Sequence, residues 1–524
     1  MPAGPSRGVP RPIAARGTHR AWQRTRARRA HLAYARAPVD TSTSRPWKFW
    51  TGAIGAPLAF VVLWLAPLPL ETEAHRLAAI FGAILIAWVT EVVPIAVTAL
   101  LIAPLLVVTE VAGAGDAFKH YAAPLLYLFV GGFFIAKAMS EHGLDRRVAK
   151  AIVTAKWVRG VPSRVRLALM VAGALLSMWI SNTASTAILV PILLKMLGRR
   201  RGKDRAAVGG LLALAFACSA GGLGTLVGSP PNLITIQLLA EVGHDLGFLG
   251  WMQMGLPASL LVCVAIWFVA RWMYPPVVVE DDDADEQDAP SAEELFADVP
   301  RRWTRGEIVT AVAFALAAIG WVLPGLFRAT GHPAADDVKR LLHPGVVALL
   351  AASILFVLPG RPGERVLTWK RAATIDWGII LLFGGGIALG TQLVETGLAG
   401  AMSQGFVALT GIESLWALTA VACVFTIFFT EVCSNTASSN MLVPLVIGIA
   451  AELEVSPIPP AMAVGLAASC AFMLPIATGP NAIAYSTGRV SQPQMMRIGI
   501  VLNLLCAVLV FLIVRVLSPL YGWT

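Results

Sequence analysis

From residue 49 onward, long apolar runs alternate with short polar stretches. The runs fall near 49–69, 78–93, 95–112, 123–141, 207–223 continuing after a break through 232–242, 251–274, 306–326, 344–359, 375–396, 460–476 continuing through 482–490, and 497–518. Most are about the 17–25 residues that a helix needs to cross a bilayer core. They are apolar throughout rather than alternating over about ten residues, which argues against a membrane barrel. The pattern predicts an all-α polytopic membrane protein with about 11 transmembrane helices. Two further apolar stretches, 164–197 and 412–450, interrupt themselves with small polar residues: "SMWISNTAST" at 177–186 and "FFTEVCSNTASSN" at 428–440.

Charge placement decides how those two stretches run. With the N-terminus inside, the predicted cytoplasmic loops hold 22 Lys and Arg: seven in 141–166, six in 195–207, three in 275–306, four in 360–373 and two in 488–497. The predicted outer loops hold five: Arg76, Lys119, Arg328, Lys339 and Arg340. The positive-inside rule asks for this asymmetry. It survives only if each interrupted stretch returns to the side it came from, because a full crossing would invert every later loop. The two stretches are therefore expected to be re-entrant hairpins, one opening inward and one outward. The C-terminus is expected outside.

An internal repeat orders the rest. "LFVGGFFIAKAMSEHGL" (128–144) matches "LFGGGIALGTQLVETGL" (382–398) without a gap, "SNTAS" recurs at 181 and 434, and "VGSPPNLI" (227–234) is echoed by "IATGPNAI" (476–483). An odd number of crossings per half gives the halves opposite orientation, as in secondary transporters whose site lies near the midplane. The expected organisation is a basic tail over 1–48, an extra first helix over 49–76, a first inverted repeat over 77–279 with hairpin 164–197, an acidic cytoplasmic linker over 280–303, and a second inverted repeat over 304–524 with hairpin 412–450.

The polar clusters suit ion handling. Non-helical backbone survives at membrane depth only where it is buried in protein or lines a wet cavity. Arg166 to Ser181 is fifteen residues, about 22 Å of helix at 1.5 Å per residue, which passes the middle of a core about 30 Å thick. Ser, Asn and Thr at such a tip can cap the arm that starts there. "GSPPN" and "TGPN" cannot continue a helix, since proline removes a donor and restricts its predecessor. Each break frees carbonyls for a cation, and the restarting helix offers N–H groups and a positive dipole end to an anion. A single such cluster reads as interhelical glue; two, each followed by a Pro-Asn break, read as an ion site. Glu431 is open between a cation-linked group and a structural acid.

Composition agrees. Hydrophobic residues make up 57% of the 524 and charged residues 14%, against about 25% charged in soluble domains. Cys218, Cys263, Cys423, Cys433, Cys470 and Cys506 lie in apolar segments without CxxC spacing and read as buried hydrophobes. The net charge of +10 does not signal nucleic acid: eleven of the 41 Lys and Arg fall in residues 1–50, against Asp40 alone. With no apolar h-region this tail is not a secretory signal. It is read as a disordered cytoplasmic segment drawn to anionic lipid, or as residues added by a start codon placed too early.

At the doubled SNT and Pro-Asn motifs the sequence resembles the divalent anion/sodium symporter family of sodium-coupled dicarboxylate, citrate and sulfate carriers, over roughly residues 50–520. The resemblance implies an elevator-type transporter of the inner cell membrane, homodimeric, with at least two sodium sites. It assigns the first to Ser177, Ser181, Asn182 and Gly228, and the second to Thr430, Cys433 or Ser434, Asn435 and Ala477. Substrate contacts map to Asn182, Thr183, Ser229, Asn435, Thr436 and Thr478. Similar carriers often read TPPN where this chain has Thr478, Gly479, Pro480 and Asn481. The expected function is sodium-coupled symport of small divalent anions, C4-dicarboxylates such as succinate, malate or fumarate foremost. A sodium-independent exchanger, or a sulfate or citrate carrier, is the alternative on the same fold. From residue 49 onward the chain has no HExxH and no GxSxG for an intramembrane enzyme, and no charged pore ring for a channel.

Overall fold

The computed structural model describes residues 46–158, 162–196, 205–275 and 292–524. The basic tail up to residue 45 and the acidic run 280–291 lie outside the described residues. The first half contains α1 (Pro46–Leu65), α2 (Thr72–Thr90), α3 (Ile95–Val108), α4 (Ala114–Lys119), α5 (Leu126–His142), α6 (Leu144–Val153), α7 (Pro162–Ser177), α8 (Asn182–Met196), α9 (Arg205–Gly221), α10 (Pro230–Glu241) and α11 (Gly247–Met273). The second contains α12 (Ala292–Leu295), α13 (Arg305–Ala329), α14 (Ala335–Leu341), α15 (Pro344–Val357) and the two-stranded ribbon β1 (Pro359–Arg361) and β2 (Glu364–Arg365). It continues with α16 (Trp369–Ala372), α17 (Trp377–Glu395), α18 (Leu398–Thr410), α19 (Leu415–Phe429), α20 (Asn435–Glu452), α21 (Ile458–Ala467), α22 (Gly479–Ser486) and α23 (Gln492–Leu520).

Among the described residues, seven helices are long and apolar enough to cross a membrane, or nine if each of two bent pairs counts as one span. Four shorter apolar helices, α3, α8, α9 and α21, accompany them.

Repeat-related residues do the same structural work in both halves. Gly143 and Gly397, matched in the sequence repeat, have φ of 76° and 77° and turn the chain from a long helix into α6 and α18, the left-handed step that glycine takes without strain. A Cβ on Gly131 would stand 2.5–2.6 Å from Ala348, and one on Gly385 would stand 2.4 Å from the Ala99 carbonyl oxygen. Those glycines let α5 cross α15, and α17 cross α3, at backbone contact. α7 packs on α9 as α19 packs on α21, and the two arms within each hairpin pack together. Each half's broken helix also reaches the other half: α22 lies on α8 and α9, and α10 lies on α20 and α21.

Two expectations are corrected, one about an element's end and one about a cap. The second broken helix stops at Ala467 and restarts at Gly479, well short of the expected run to 476. The apolar stretch "SCAFMLP" therefore adopts irregular backbone, and a buried carboxylate replaces its missing helical partners. Ser434 stands at the N-cap of α20 but makes no side-chain cap bond; the capping expected of the second tip is not its role.

Candidate functional site

Each hairpin turns through a short tip, and the tip brings a hydroxyl back onto the asparagine that starts the second arm. In the first, the Ser177 hydroxyl bonds to the Asn182 side chain across five residues. That end of the Asn182 amide also lies 3.2 Å from the Gly228 carbonyl oxygen and 3.3 Å from that of Cys218. Nitrogen in that position has two N–H donors to share among these three oxygens; oxygen there joins them as a cation ligand. Gly222 makes room for the arrangement, since a Cβ there would meet the Asn182 amide at 2.5 Å. Ser177 and Gly228 are buried, whereas Ser181 and Thr183 are exposed at the tip.

The second tip repeats the arrangement. The Thr430 hydroxyl lies 2.8 Å from Asn435 Oδ1 and 2.9 Å from the Ala468 carbonyl oxygen. Thr430 is fully buried, and Cys433 and Thr436 nearly so. The structure thus gathers Ser177, Asn182 and Gly228 in one half and Thr430 and Asn435 in the other. Ala477 lies in the second break, its backbone amide donating to the Leu474 carbonyl at 3.2 Å, and the Ala468 carbonyl stands beside Thr430.

The asparagines of the Pro-Asn motifs hold the breaks shut. Asn232 Nδ2 donates to the carbonyls of Gly222 and Thr225, both at 2.7 Å. Asn481 Nδ2 donates to those of Ala471 (3.1 Å) and Leu474 (3.0 Å). Thr478, assigned to substrate, caps α22 by accepting from the Asn481 amide at 3.2 Å. Ser229, also assigned to substrate, is buried against Ser469 at 3.0 Å, so the two breaks touch. Thr183 crosses to the other half: a Cβ on Gly479 would stand 2.1 Å from its hydroxyl oxygen. The glycine that departs from TPPN is therefore what lets the first tip approach the second break.

Glu431 resolves as a clamp. Its Oε1 accepts from the backbone amides of Phe472 and Met473, both at 2.7 Å, and from Asn503 Nδ2 at 2.8 Å, while Oε2 accepts from Leu474 at 3.0 Å. Four donors on one carboxylate offset much of its burial, and they fix the irregular backbone that the sequence pattern read as helix. Ser469 and the Ala468 carbonyl were not legible in the sequence, because their partners lie 240 and 38 residues away. The segments 177–186, 222–232, 428–440 and 468–481 contain no Lys or Arg, and Glu431 is their one formal charge.

The citrate transporter family (CitMHS) matches residues 85–458. The chain belongs to that family. The match agrees with the divalent anion/sodium symporter resemblance of its motifs. An uncharacterized transporter of Haemophilus influenzae is 33% identical over 457 residues, 86% of this chain and 93% of that protein. The sodium-dependent dicarboxylate transporter SdcS of Staphylococcus saprophyticus is 31% identical over 489 residues, 89% of this chain and 91% of its own. Among solved structures, the YdaH transporter of Alcanivorax borkumensis aligns with a TM-score of 0.53 at 15% identity, covering 78% of this chain and 87% of that one; that likeness concerns the fold alone. As a citrate-transporter-family member, the chain is a multi-pass membrane transporter and not an enzyme.

Proposed function

We propose that the protein is a sodium-coupled symporter of small divalent anions, with C4-dicarboxylates such as succinate, malate or fumarate as its cargo. The observation that carries this reading is the doubled hydroxyl–asparagine cluster, Ser177 with Asn182 and Thr430 with Asn435, each beside a backbone carbonyl of its own half. Hydroxyl, amide and carbonyl oxygens are the ligands a small hard cation prefers. With no Lys or Arg in either tip or either break, an anion between the tips would be held by amides, hydroxyls, helix starts and sodium. Thr183, Thr436, Ser229 and Thr478 are the proposed polar contacts, and Ser181, Cys433, Ser434 and Ala477 complete the proposed sodium ligation. The name of the Staphylococcus relatives supports both sodium and dicarboxylate.

In this reading the chain lies in the inner membrane, with eleven crossings and two re-entrant hairpins in inverted repeats. The N-terminus is cytoplasmic and the protein is a homodimer. Alternating access proceeds by an elevator motion of the hairpins and broken helices against the remaining helices. One asymmetry supports motion: α17 packs along α20 and α10, but its repeat counterpart α5 makes no comparable packing on α8 or α22. The first tip is correspondingly exposed and the second mostly buried. Citrate is the second candidate cargo, favoured by the description of the matching family.

Proteoliposome uptake of labelled succinate with and without an inward sodium gradient tests the reading. The expected result is accumulation that requires the gradient and is competed by fumarate and malate. Uptake independent of sodium but stimulated by internal dicarboxylate would establish an exchanger instead, and competition by citrate alone would move the cargo to citrate.

A further inference from the structure

The packing of α17 against the second hairpin is a track of small residues. Gly386 and Gly390 stand one turn apart, and they face Asn440 and Pro444, one turn apart on α20. A Cβ on Gly386 would fall 1.9 Å from Asn440 Oδ1, and one on Gly390 would fall 3.2 Å from Pro444 and 2.8 Å from Leu238 of α10. Asn440 is fully buried and donates through Nδ2 to the Leu382 carbonyl at 3.3 Å. That carbonyl is one turn before Gly386, so the missing side chain is what exposes it. Asn440 Oδ1 has no hydrogen-bond partner. Among the described residues the amide therefore makes one hydrogen bond across this packing surface, to Leu382, and is not part of a filled structural network.

The repeat supplies the comparison. Aligning the SNT motifs sets Asn440 against Ala187 and Pro444 against Pro191, and aligning the glycine motifs sets Gly386 against Gly132 and Gly390 against Ala136. The first half thus keeps the small-residue track and the proline but lacks the amide. Gly132 now faces Val227 of the first break, 3.1 Å from where its Cβ would be.

We infer that Asn440 is a positioning residue of the transport cycle, a one-sided latch that favours the state in which the second hairpin rests on α17. This rests on the proposed alternating motion. When the hairpins move so that α8 takes the equivalent place on α5, Ala187 meets Gly132 and no polar bond replaces the one lost. The two end states are then unequal by about the value of one interhelical hydrogen bond in a membrane interior. The empty carrier rests preferentially in the state seen here.

Double electron–electron resonance reads this directly. Spin labels go on Asp337→Cys, exposed on α14, and Ala451→Cys, exposed near the end of α20, in a background free of the native cysteines. The labelled chain is diluted with unlabelled chain, without sodium or anion. Two distance populations are expected. Asn440→Ala should lower the ratio of the population matching this structure to the other about threefold. Gly386→Ala should do the same from the opposite surface, by driving its Cβ into the amide. In the Asn440→Ala background, Gly386→Ala should add little, because its target is gone. The second variant decides the matter if the first does not fold. Two populations whose ratio neither variant moves would overturn the latch and leave alternating access standing. A single population in every variant would overturn the alternating-access reading itself, and the latch with it. Equal and additive shifts from the two substitutions would show bulk rather than the amide at work, and would also overturn the latch.

Discussion

Ser177 and Thr430 each contribute one hydroxyl to a cluster otherwise made of an amide and a carbonyl. On the proposed reading, Ser177→Ala and Thr430→Ala each remove one sodium-ligating hydroxyl and no other side-chain group. A single polar contact is worth about 1 kcal/mol net, which predicts a loss of apparent sodium affinity of about 3–10-fold in each. Succinate affinity at saturating sodium changes less. Sodium titration of uptake in both variants checks this, and unchanged titrations in both would remove these residues from the sodium sites. The sequence pointed to these positions only through the family resemblance, which assigns a hydroxyl four residues before the serine of each SNT motif. Glu431, Ser469 and Asn440 were not legible in it, or only ambiguously. Their counterparts by repeat are Met178, Ala220 and Ala187, so repetition carries no signal for them. Their roles depend on partners that only the assembled halves bring near.

The hairpins show how far periodicity reaches. Expected over 164–197 and 412–450, they occupy Pro162–Met196 and Leu415–Glu452, with their tips where the polar clusters fall. The breaks are less readable. Proline marks where α10 and α22 restart, but nothing in "SCAFMLP" marks where α21 stops. Its composition is that of a buried helix, and what permits irregular backbone there is the Glu431 carboxylate arriving from another element. Membrane sidedness is a claim about these same elements. Cysteines placed singly at Arg205, exposed after the first hairpin, and at Glu454, exposed after the second, should react with a membrane-impermeant maleimide from opposite faces. In right-side-out vesicles position 454 should label and position 205 should not, with the reverse in inside-out vesicles. Labelling of both from one face would refute the inverted arrangement.

At the scale of the whole molecule, two half-sites meet through Ser229 and Ser469 and through Thr183 and Gly479, and neither carries a cation of its own. Charge taken out of water is costly unless it is paired. In this account sodium pairs the dianion, so sodium is a condition of tight binding as well as a source of driving force. Linkage then makes the effect reciprocal, with anion strengthening sodium binding by the same factor as sodium strengthens anion binding. Couplings of about 1–3 kcal/mol, or 5–150-fold, are usual. The direct measurement is equilibrium succinate binding to the purified protein in detergent at several sodium concentrations, with choline holding ionic strength constant. The succinate dissociation constant should fall at least about fivefold as sodium rises to saturation. A dissociation constant indifferent to sodium would contradict it.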